Sequence, residues 1–443
     1  MTRYYANHAW LGGDEVSAGV LIEVDGERIS AVRPGAERPS DARHLRGVTL
    51  PGLANAHSHA FHRALRGRTH RSGGTFWTWR EDMYAVADRL TPDSYHALAR
   101  ATYAEMALAG IACVGEFHYL HHDAGGVPHA DANAFGEALT AAAADAGIRI
   151  ALLDACYLAG GFDQALEGPQ LRFGDRDATA WAQRVSDLRG APHARIGAAI
   201  HSVRAVPAAQ LDTVADWARE RGAPLHFHLS EQRAENEACL AAHGRTPTQL
   251  LDDHGALGAR SCAVHATHLG ERDVGLLGGS ATTICMCATT ERDLADGIGP
   301  ARSLAAAGSP LSLGSDSNSV VDLFEEARAV ELDERLASER RGHWSAAELL
   351  VAATRGGHES LGWADAGRLE AGALADLVTV GVDSVRLAGA EPATLLESLV
   401  FAATADDVRD VVVGGRRVVA DGRHALVDDV PRALDAAVKA VLA

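Results

Sequence analysis

The sequence predicts a (β/α)8 barrel of the TIM type, joined to a small β-sandwich domain that is built from both ends of the chain. Three observations lead to this fold class. Short apolar runs alternate with alanine-rich helical segments through the middle of the 443-residue chain. Polar residues recur where the apolar runs end, which is the edge at which barrel enzymes build their active sites. Strand-and-turn patterns are concentrated at the two ends.

Residues 1–52 are predicted to form the first part of the small β domain. The stretch GVLIEVDGERISAV, residues 19–32, alternates in hydrophobicity on both sides of a turn at Asp25-Gly26. This pattern indicates two short antiparallel strands. The following VTLPG, residues 48–52, leads into the middle of the chain, where apolar runs that alternate with helical segments replace the strand-and-turn pattern.

Residues 53–361 are predicted to form the barrel. Eight apolar runs follow one another here, namely LANAH, IACVGEF, IRIALLDA, RIGAAIH, PLHFHLS, SCAVHATH, ATTICMC and PLSLGSD. Helical stretches such as SYHALARATYAEMALAG and AAQLDTVADWARERG lie between them. An open eight-stranded sheet would give the same local signals. The barrel is favoured because polar residues stand repeatedly at the carboxyl ends of the runs, and only a barrel brings those ends to one mouth.

Residues 362–443 are predicted to complete the small β domain and to add a terminal helix. Strand patterns return in GALADLVTVGV and in VRDVVVGGRRVVADGRH, where Gly414-Gly415 predicts a hairpin turn. The final PRALDAAVKAVLA has the spacing of an amphipathic helix.

Composition and charge restrict the class of partner. The chain carries 41 basic and 59 acidic residues, a formal net charge of −18, which would repel nucleic acids and anionic membranes. No apolar run approaches the roughly 18 residues of a membrane span, and the first residues do not resemble a signal peptide. The six cysteines show no disulfide framework spacing. We therefore expect a cytoplasmic protein that acts on a small molecule, with no nucleic-acid or membrane partner.

Four residues of metal-ligand type stand at the ends of the first, fifth and eighth apolar runs: His57, His59, His228 and Asp316. Alone, a His-x-His pair is often no more than a polar strand end. In a barrel, however, these three strand ends meet, and residues two apart on a strand face the same side. The sequence therefore predicts one divalent metal site. Zinc is the ion expected for three histidines and an aspartate, with iron and manganese as alternatives.

Two further residues are predicted to move protons beside this metal. Glu231 follows His228 by three residues and could take a proton from an attacking water and deliver it to a leaving nitrogen. The plainer interpretation is an acidic residue in the first turn of a helix. His265, in CAVHATH, is predicted to hydrogen-bond the attacking water. Asp316 is predicted to help deprotonate this water as well as to bind the metal.

Four motifs resemble the amidohydrolase superfamily, in that family's order: HSH at 57–59, HLSE at 228–231, VHATH at 264–268 and GSDS at 314–317. The resemblance covers nearly the whole chain and implies a barrel with a composite sheet domain. Members with two metals carry a carboxylated lysine at the end of strand four. Here that strand ends in IGAAIHSVR, so the resemblance implies a single metal, and it also implies a homodimer. The mononuclear branch is rich in deaminases with a His-x-x-Glu signature.

A narrower set of strings resembles the N-formimidoyl-L-glutamate deiminases: HSHAFHRALRGRT, TFWTWREDMY, GEFHYLHHD, HSVRAV, VHATH and DGIGPA. Those enzymes release ammonia and N-formyl-L-glutamate. The resemblance implies that Arg80, Tyr119, His201 and Arg204 bind the two carboxylates of such a substrate. Arginine suits this role because its planar fork meets a carboxylate through two hydrogen bonds. Taken singly, each arginine would be interpreted as a solvated surface charge.

One position departs from the deiminase pattern. In those deiminases the position three residues after the second metal histidine is often a glutamine, which contacts the formimidoyl end of the substrate. In this chain the position is occupied by His62. An imidazole still offers one donor or one acceptor, so we expect His62 to face the imine end of the substrate. Two alternatives remain open. One is another mononuclear deaminase that acts on a nucleobase, a guanidine or a triazine, and the other is a barrel that has lost catalysis and serves as a binding scaffold.

Overall fold

The computed structural model describes residues 1–70 and 74–443. Within these residues the strands, numbered in chain order, are β1 (Thr2–Trp10), β2 (Val16–Asp25), β3 (Arg28–Arg33), β4 (Arg43–Pro51), β5 (Leu53–Ser58), β6 (Ile111–His118), β7 (Arg149–Cys156), β8 (Ala194–Ile200), β9 (Leu225–Leu229), β10 (Ser261–His265), β11 (Thr283–Met286), β12 (Leu311–Leu313), β13 (Leu377–Val380), β14 (Val408–Val413), β15 (Arg416–Ala420) and β16 (Arg423–His424).

The helices of the same residues are α1 (Phe76–Ala87), α2 (Pro92–Leu108), α3 (Ala134–Ala146), α4 (Ala178–Asp187), α5 (Ala208–Arg221), α6 (Arg233–His243), α7 (Pro247–Asp253), α8 (Glu271–Gly279), α9 (Ala288–Asp293), α10 (Ala301–Ala307), α11 (Leu323–Ser338), α12 (Ala346–Val351), α13 (Gly357–Ser360), α14 (Leu395–Ala402) and α15 (Val430–Leu442). A 3-10 helix, Ala60–Leu65, follows β5, and a π-helical segment, Ala352–Gly356, joins α12 to α13.

Strands β5 to β12 form one parallel sheet in chain order. The sheet closes on itself because Ser58 at the end of β5 forms a parallel bridge with Asp316 beyond β12. Two backbone hydrogen bonds hold this seam: the Asp316 amide donates to the His57 carbonyl at 3.0 Å, and the His59 amide donates to the Asp316 carbonyl at 3.0 Å. The predicted (β/α)8 barrel is confirmed, and the open sheet is excluded.

Each barrel strand coincides with one of the eight apolar runs of the sequence. Every residue of β6 and β7 is buried, as expected for a parallel sheet that is covered on both faces. The helices begin and end at ordinary signals. Pro92 opens α2 after a Thr91 cap that accepts from the Ser94 amide, and α5 ends at Gly222 in the left-handed conformation. None of the helices in the described residues is both long and apolar enough to cross a membrane.

The two ends of the chain form a second eight-stranded sheet in the order β16-β15-β14-β13-β4-β1-β2-β3. The predicted turns at Asp25-Gly26 and Gly414-Gly415 connect β2 to β3 and β14 to β15. The N-terminal and C-terminal halves meet where β4 pairs antiparallel with β13. Helix α15 packs through Val430, Leu434, Ala437 and Val441, which share one face.

A buried ion pair fastens the terminal sheet to the barrel. Arg149, the first residue of β7, donates from Nε and Nη2 to the two carboxylate oxygens of Asp376, at 2.8 and 3.1 Å. Their side chains are 3% and 0% exposed, so neither charge is solvated. The Gly414 amide donates to the same carboxylate at 2.7 Å. One aspartate therefore joins the base of the barrel to the β14–β15 turn.

Candidate active site

His57, His59, His228 and Asp316 converge at the mouth of the barrel, with ligand atoms that all lie within 4.8 Å of one another. We call these four residues the metal cluster. Nε2 of His57 lies 3.1 Å from Nε2 of His228 and 3.4 Å from Oδ1 of Asp316. Nε2 of His59 lies 3.3 Å from the same oxygen. The structure thus brings together all four residues that the sequence suggested as ligands.

Two of the three histidines of the metal cluster, His59 and His228, are oriented by backbone carbonyls. Nδ1 of His59 donates to the Phe117 carbonyl at 2.9 Å, and Nδ1 of His228 donates to the His201 carbonyl at 2.8 Å. With the proton assigned to Nδ1, the lone pair of Nε2 points into the cluster. Burial lowers the pKa of all three cluster histidines, which favours the neutral ligand form. Neutral imidazoles beside one carboxylate fit a divalent ion of zinc type.

The segment that carries Asp316 approaches the first strand unusually closely. A Cβ on Gly314 would lie 2.8 Å from Cβ of His57, so a larger residue there would push the two strands apart. Asp316 itself has a left-handed φ of 44°, and so has Asn318 at 54°. Asn318 holds this strained turn by donating to the His59 carbonyl at 3.0 Å and to Oγ of Ser58 at 3.1 Å.

Glu231 and His265 lie at the same mouth, beside the metal cluster. Nε2 of His265 is 3.7 Å from Oε1 of Glu231 and 3.8 Å from Oδ2 of Asp316. Burial raises the pKa of Glu231 to about 7, where a carboxyl group can both accept and donate a proton near neutral pH. Burial lowers the pKa of His265, but the carboxylates around the ring outweigh it and raise that pKa to about 10. Glu231, His265 and Asp316 can therefore exchange protons with a molecule held at the metal cluster.

A cavity opens onto Glu231, His265 and Asp316. Its wall contains every predicted substrate-binding residue, namely His62, Arg80, Tyr119, His201 and Arg204. Aromatic and aliphatic side chains complete it: Phe76, Trp79, Met83, Tyr84, Tyr157, Phe173 and Leu294. The predicted catalytic and binding residues therefore share one cavity.

The two arginines of the cavity differ in how their charge is compensated. Arg80 projects from α1, with Cζ 4.9 Å from the Trp77 ring and 5.2 Å from the Tyr84 ring. No carboxylate pairs with it in the part of the chain that the structure describes. Arg204 pairs with Glu235 through a long contact of 3.5 Å. Arg80 is therefore the more available cation, whereas Arg204 is held in place by a buried carboxylate.

His62 lies in the cavity wall rather than in the metal cluster. Its Nε2 is 2.9 Å from the Tyr119 hydroxyl, and its ring centroid is 4.5 Å from that of His59. Burial lowers the pKa of His62 to about 3, so the ring is neutral. Its Nδ1 is buried without a hydrogen-bond partner among residues 1–70 and 74–443. This nitrogen is therefore an unsatisfied polar atom of the cavity wall.

Two buried carboxylates support the site although the sequence pattern predicted no role for them; Glu116 was recognisable only as one of the polar residues at a strand end. Glu291, near the start of α9, accepts from Nδ1 of His265 at 3.3 Å. Glu116 in β6 accepts from the Ala60 amide at 2.7 Å, directly after the ligand His59, and burial raises its pKa to about 8. An acidic residue inside an apolar strand was the available signal for Glu116. Nothing in the sequence around Glu291 indicated its contact with His265.

A second group of possible ligands, His118, His121 and Asp154, is better described as an ion network. Both oxygens of Asp154 accept from Arg184, each at 2.9 Å. Burial opposes ionisation of Asp154, but Arg184 prevails and holds the pKa of this carboxyl well below its usual range. His121 donates from Nε2 to the Ala155 carbonyl at 3.0 Å. A carboxylate already neutralised by arginine is a poor metal ligand.

Comparison with known proteins places these features in a wider group. The sequence model of the amidohydrolase family matches residues 48–418. The chain is 40% identical over 427 residues to the formimidoylglutamate deiminase of Pseudomonas aeruginosa, with 93% of this chain and 91% of that protein aligned. It is 31% identical over 415 residues to a 5-methylthioadenosine/S-adenosylhomocysteine deaminase of Natronomonas pharaonis, with 91% and 89% aligned.

Solved structures show the same architecture. An amidohydrolase from Brucella melitensis superimposes with a TM-score of 0.93 at 35% identity, over 100% of both chains. The atrazine chlorohydrolase of Arthrobacter aurescens TC1, solved in complex with zinc, superimposes with a TM-score of 0.88 at 26% identity, again over 100% of both chains. The barrel and the terminal sheet therefore occur together in these relatives.

Proposed function

This chain belongs to the amidohydrolase family, and we propose that it hydrolyses N-formimidoyl-L-glutamate to N-formyl-L-glutamate and ammonia. The observation that carries this proposal is a single cavity lined by three residues of the metal cluster, His59, His228 and Asp316, and by two arginines, Arg80 and Arg204. The relative that is 40% identical and is named a formimidoylglutamate deiminase supports the same substrate. The reaction replaces a C=N bond by C=O, which is the chemistry of the deaminases in this family.

A dicarboxylate needs local cations and donors to enter a protein with a net charge of −18. Arg80 offers a guanidinium without a paired carboxylate, and Arg204 offers a second one that Glu235 holds in position. Tyr119 and His201 line the same cavity as neutral hydrogen-bonding groups, because burial lowers the pKa of His201 and raises that of Tyr119. We assign these four residues to the carboxylates of the substrate.

His57, His59, His228 and Asp316 would hold one divalent ion, and zinc is the ion we propose. When bound, such an ion supplies a water acidic enough to attack a C=N carbon near neutral pH. Asp316 and Nε2 of His265 orient this water. Glu231 takes one proton of this water on its carboxylate and passes it to the terminal nitrogen of the formimidoyl group. It then transfers the second proton, from the added hydroxyl, to the same nitrogen as the C–N bond breaks and the C=O bond forms, so that the nitrogen leaves as ammonia. His62, through its unpartnered Nδ1, contacts the imine end in the place where related deiminases often have glutamine.

A second candidate follows from the aromatic wall of the cavity. Phe76, Trp79, Tyr84, Tyr157 and Phe173 present ring faces and edges that could pack against a purine. The relative that is 31% identical is named a 5-methylthioadenosine/S-adenosylhomocysteine deaminase. Deamination of a purine nucleoside is therefore the alternative activity.

The test is ammonia release from a panel of substrates, with metal content measured on the same sample. The panel contains N-formimidoyl-L-glutamate, an analogue that lacks one carboxylate, and 5′-methylthioadenosine. We expect kcat/KM to fall by about 10²-fold for the analogue, since one charged hydrogen-bonded contact is lost. A purine that is turned over faster would favour the second candidate. Absence of ammonia from every substrate would indicate a binding protein instead of an enzyme.

A further inference from the structure

His265 is held from both sides. Its Nε2 faces Glu231 and Asp316 at 3.7 and 3.8 Å. Its Nδ1 faces Oε1 of Glu291 at 3.3 Å, on the side away from the cavity. The His265 ring thus faces the proton-exchanging groups with one nitrogen and the Glu291 carboxylate with the other. Glu291 is not among the residues that line the cavity.

Glu291 is buried, with 4% of its surface exposed, and no arginine or lysine pairs with it in the described ranges. Its neighbour Arg292 turns outward and pairs with Glu325 instead. The same oxygen that meets His265 also accepts from the Cys287 amide at 3.0 Å. With no arginine or lysine beside it, this buried carboxylate depends on the His265 ring and the Cys287 amide to compensate its charge.

The backbone at His265 makes such support necessary. His265 has a φ of 70° and the next residue, Ala266, a φ of 51°, both in the left-handed region that non-glycine residues seldom adopt. Strained residues persist only where their surroundings fix them. Glu291 does this by joining the end of β11, through Cys287, to the side chain at the end of β10.

We propose that Glu291 is a positioning residue, which keeps the Nδ1 proton of His265 in a hydrogen bond and thereby directs Nε2 towards Glu231 and Asp316. The proposal rests on the deaminase function given above. Imidazole nitrogens are alike in shape, and the ring can turn over unless one nitrogen has a fixed partner. Without Glu291, the ring would spend part of its time with its nitrogens displaced from the reacting water.

A neighbouring carboxylate provides a matched control. Glu326 is also fully buried, and it accepts from the Thr289 amide at 3.1 Å and from the Thr289 hydroxyl. It supports the same helix, α9, but does not contact His265. Removing the charge of Glu326 therefore shows how much kcat falls when a buried carboxylate that supports α9 is lost without any effect on a contact of His265.

The experiment measures kcat, KM, bound metal and melting temperature for metal-loaded Glu291→Ala, Glu291→Gln and Glu326→Gln. Positioning partners of this kind typically contribute 10- to 100-fold, so we expect Glu291→Ala to lower kcat by about that factor. KM and metal content should stay within about twofold, because the removed group touches neither substrate nor ion. Glu291→Gln should recover most of kcat, since its amide oxygen still accepts the Nδ1 proton.

The proposal would be overturned by a kcat within about threefold of wild type in Glu291→Ala, by an equal loss in Glu326→Gln, or by failure of Glu291→Gln to restore activity. Should the alanine variant fail to fold, Glu291→Asp carries the test, because it keeps the charge but withdraws the oxygen and should also lower kcat. A wild-type protein that releases no ammonia would contradict the proposed function, a result that differs from an active wild type with unaffected Glu291 variants.

Discussion

Glu231 illustrates how one position can acquire its chemistry from its surroundings. It follows β9 after Ser230, whose left-handed φ of 51° turns the chain towards the mouth of the barrel. Burial then raises the pKa of the Glu231 carboxyl to about 7. An exposed glutamate would be ionised almost completely at neutral pH and could not donate a proton. Backbone turn and burial together make this residue suitable for moving protons.

Substitution of Glu231 by glutamine should separate catalysis from metal binding. The amide keeps the size of the side chain but cannot exchange a proton, so kcat should fall by about 10²- to 10⁴-fold. Bound metal should be unchanged, because Glu231 is outside the metal cluster. Ammonia release and metal analysis on the same sample provide the measurement. The exposed Glu237 of α6, changed to glutamine, is the control, and near-normal turnover in Glu231→Gln would remove it from the proton transfer.

The sequence revealed the residues of the metal cluster because each stands at the end of an apolar run, and barrel geometry brings those ends together. It could not reveal Glu291 in the same way. The contact of Glu291 with His265 depends on the direction of the turn after β11 and on the left-handed backbone of β10's last residue. Neither conformation leaves a signature in residue type, since His265 and Ala266 are not glycines.

At the level of elements, α1 forms one wall of the cavity and is fixed at its C-terminal end by Arg172. This side chain is 1% exposed. It donates to the carbonyl of Ala87, the last residue of α1, to that of Leu90, three residues further on, and to that of His122 at 3.0 Å. A cation at a helix C-terminus also complements the helix dipole. Arg172 thus joins the helix that carries Arg80 to the segment that follows Tyr119.

Replacing Arg172 by glutamine should loosen α1 without touching the metal cluster. We expect KM for the substrate to rise more than kcat falls, because Arg80 would lose its fixed position. The free energy of unfolding should drop by about 1–3 kcal/mol, the cost of leaving buried carbonyls without their donor. Steady-state kinetics and urea denaturation measure the two effects. Arg176→Gln, at an exposed site nearby, is the control, and an unchanged KM in Arg172→Gln would contradict this role.

The elements differ in how well the sequence predicted them. All eight barrel strands were found because a parallel strand buried on both faces is an uninterrupted apolar run. The terminal hairpins were found from Asp25-Gly26 and Gly414-Gly415. The role of Arg172 could not be predicted, because an arginine in a loop is usually solvated and its three carbonyl partners come from distant segments.

At the scale of the whole molecule, two sheets made from interleaved parts of the chain must stay in one arrangement. The barrel is continuous in sequence, whereas the terminal sheet joins the first and last strands of the chain. The buried pair of Arg149 and Asp376 lies where the two sheets meet. Its contribution is therefore expected in global stability and not in catalysis.

Loss of one partner of this pair should lower the free energy of unfolding far more than loss of both partners. Arg149→Met leaves the Asp376 carboxylate buried without its cation, and we expect the free energy of unfolding to fall by about 3–5 kcal/mol. The double variant Arg149→Met with Asp376→Leu should recover much of that loss, because a hydrophobic pair often replaces a buried ion pair without penalty. Denaturation curves of the wild type, the single variant and the double variant measure these differences in the free energy of unfolding. A single variant as stable as wild type would show that the pair does not fasten the sheets.

The seam of the barrel has a consequence for how the protein is made. A backbone hydrogen bond joins His57 and Asp316 across the seam, yet His57 lies on the first strand of the barrel and Asp316 just beyond the last one. A ribosome that adds about 5–20 residues per second needs roughly 13–50 seconds between them. Until Asp316 emerges, the metal cluster lacks its carboxylate and the barrel has no closed mouth. The four residues of the metal cluster can therefore come together only late in synthesis, once the last barrel strand has paired with the first.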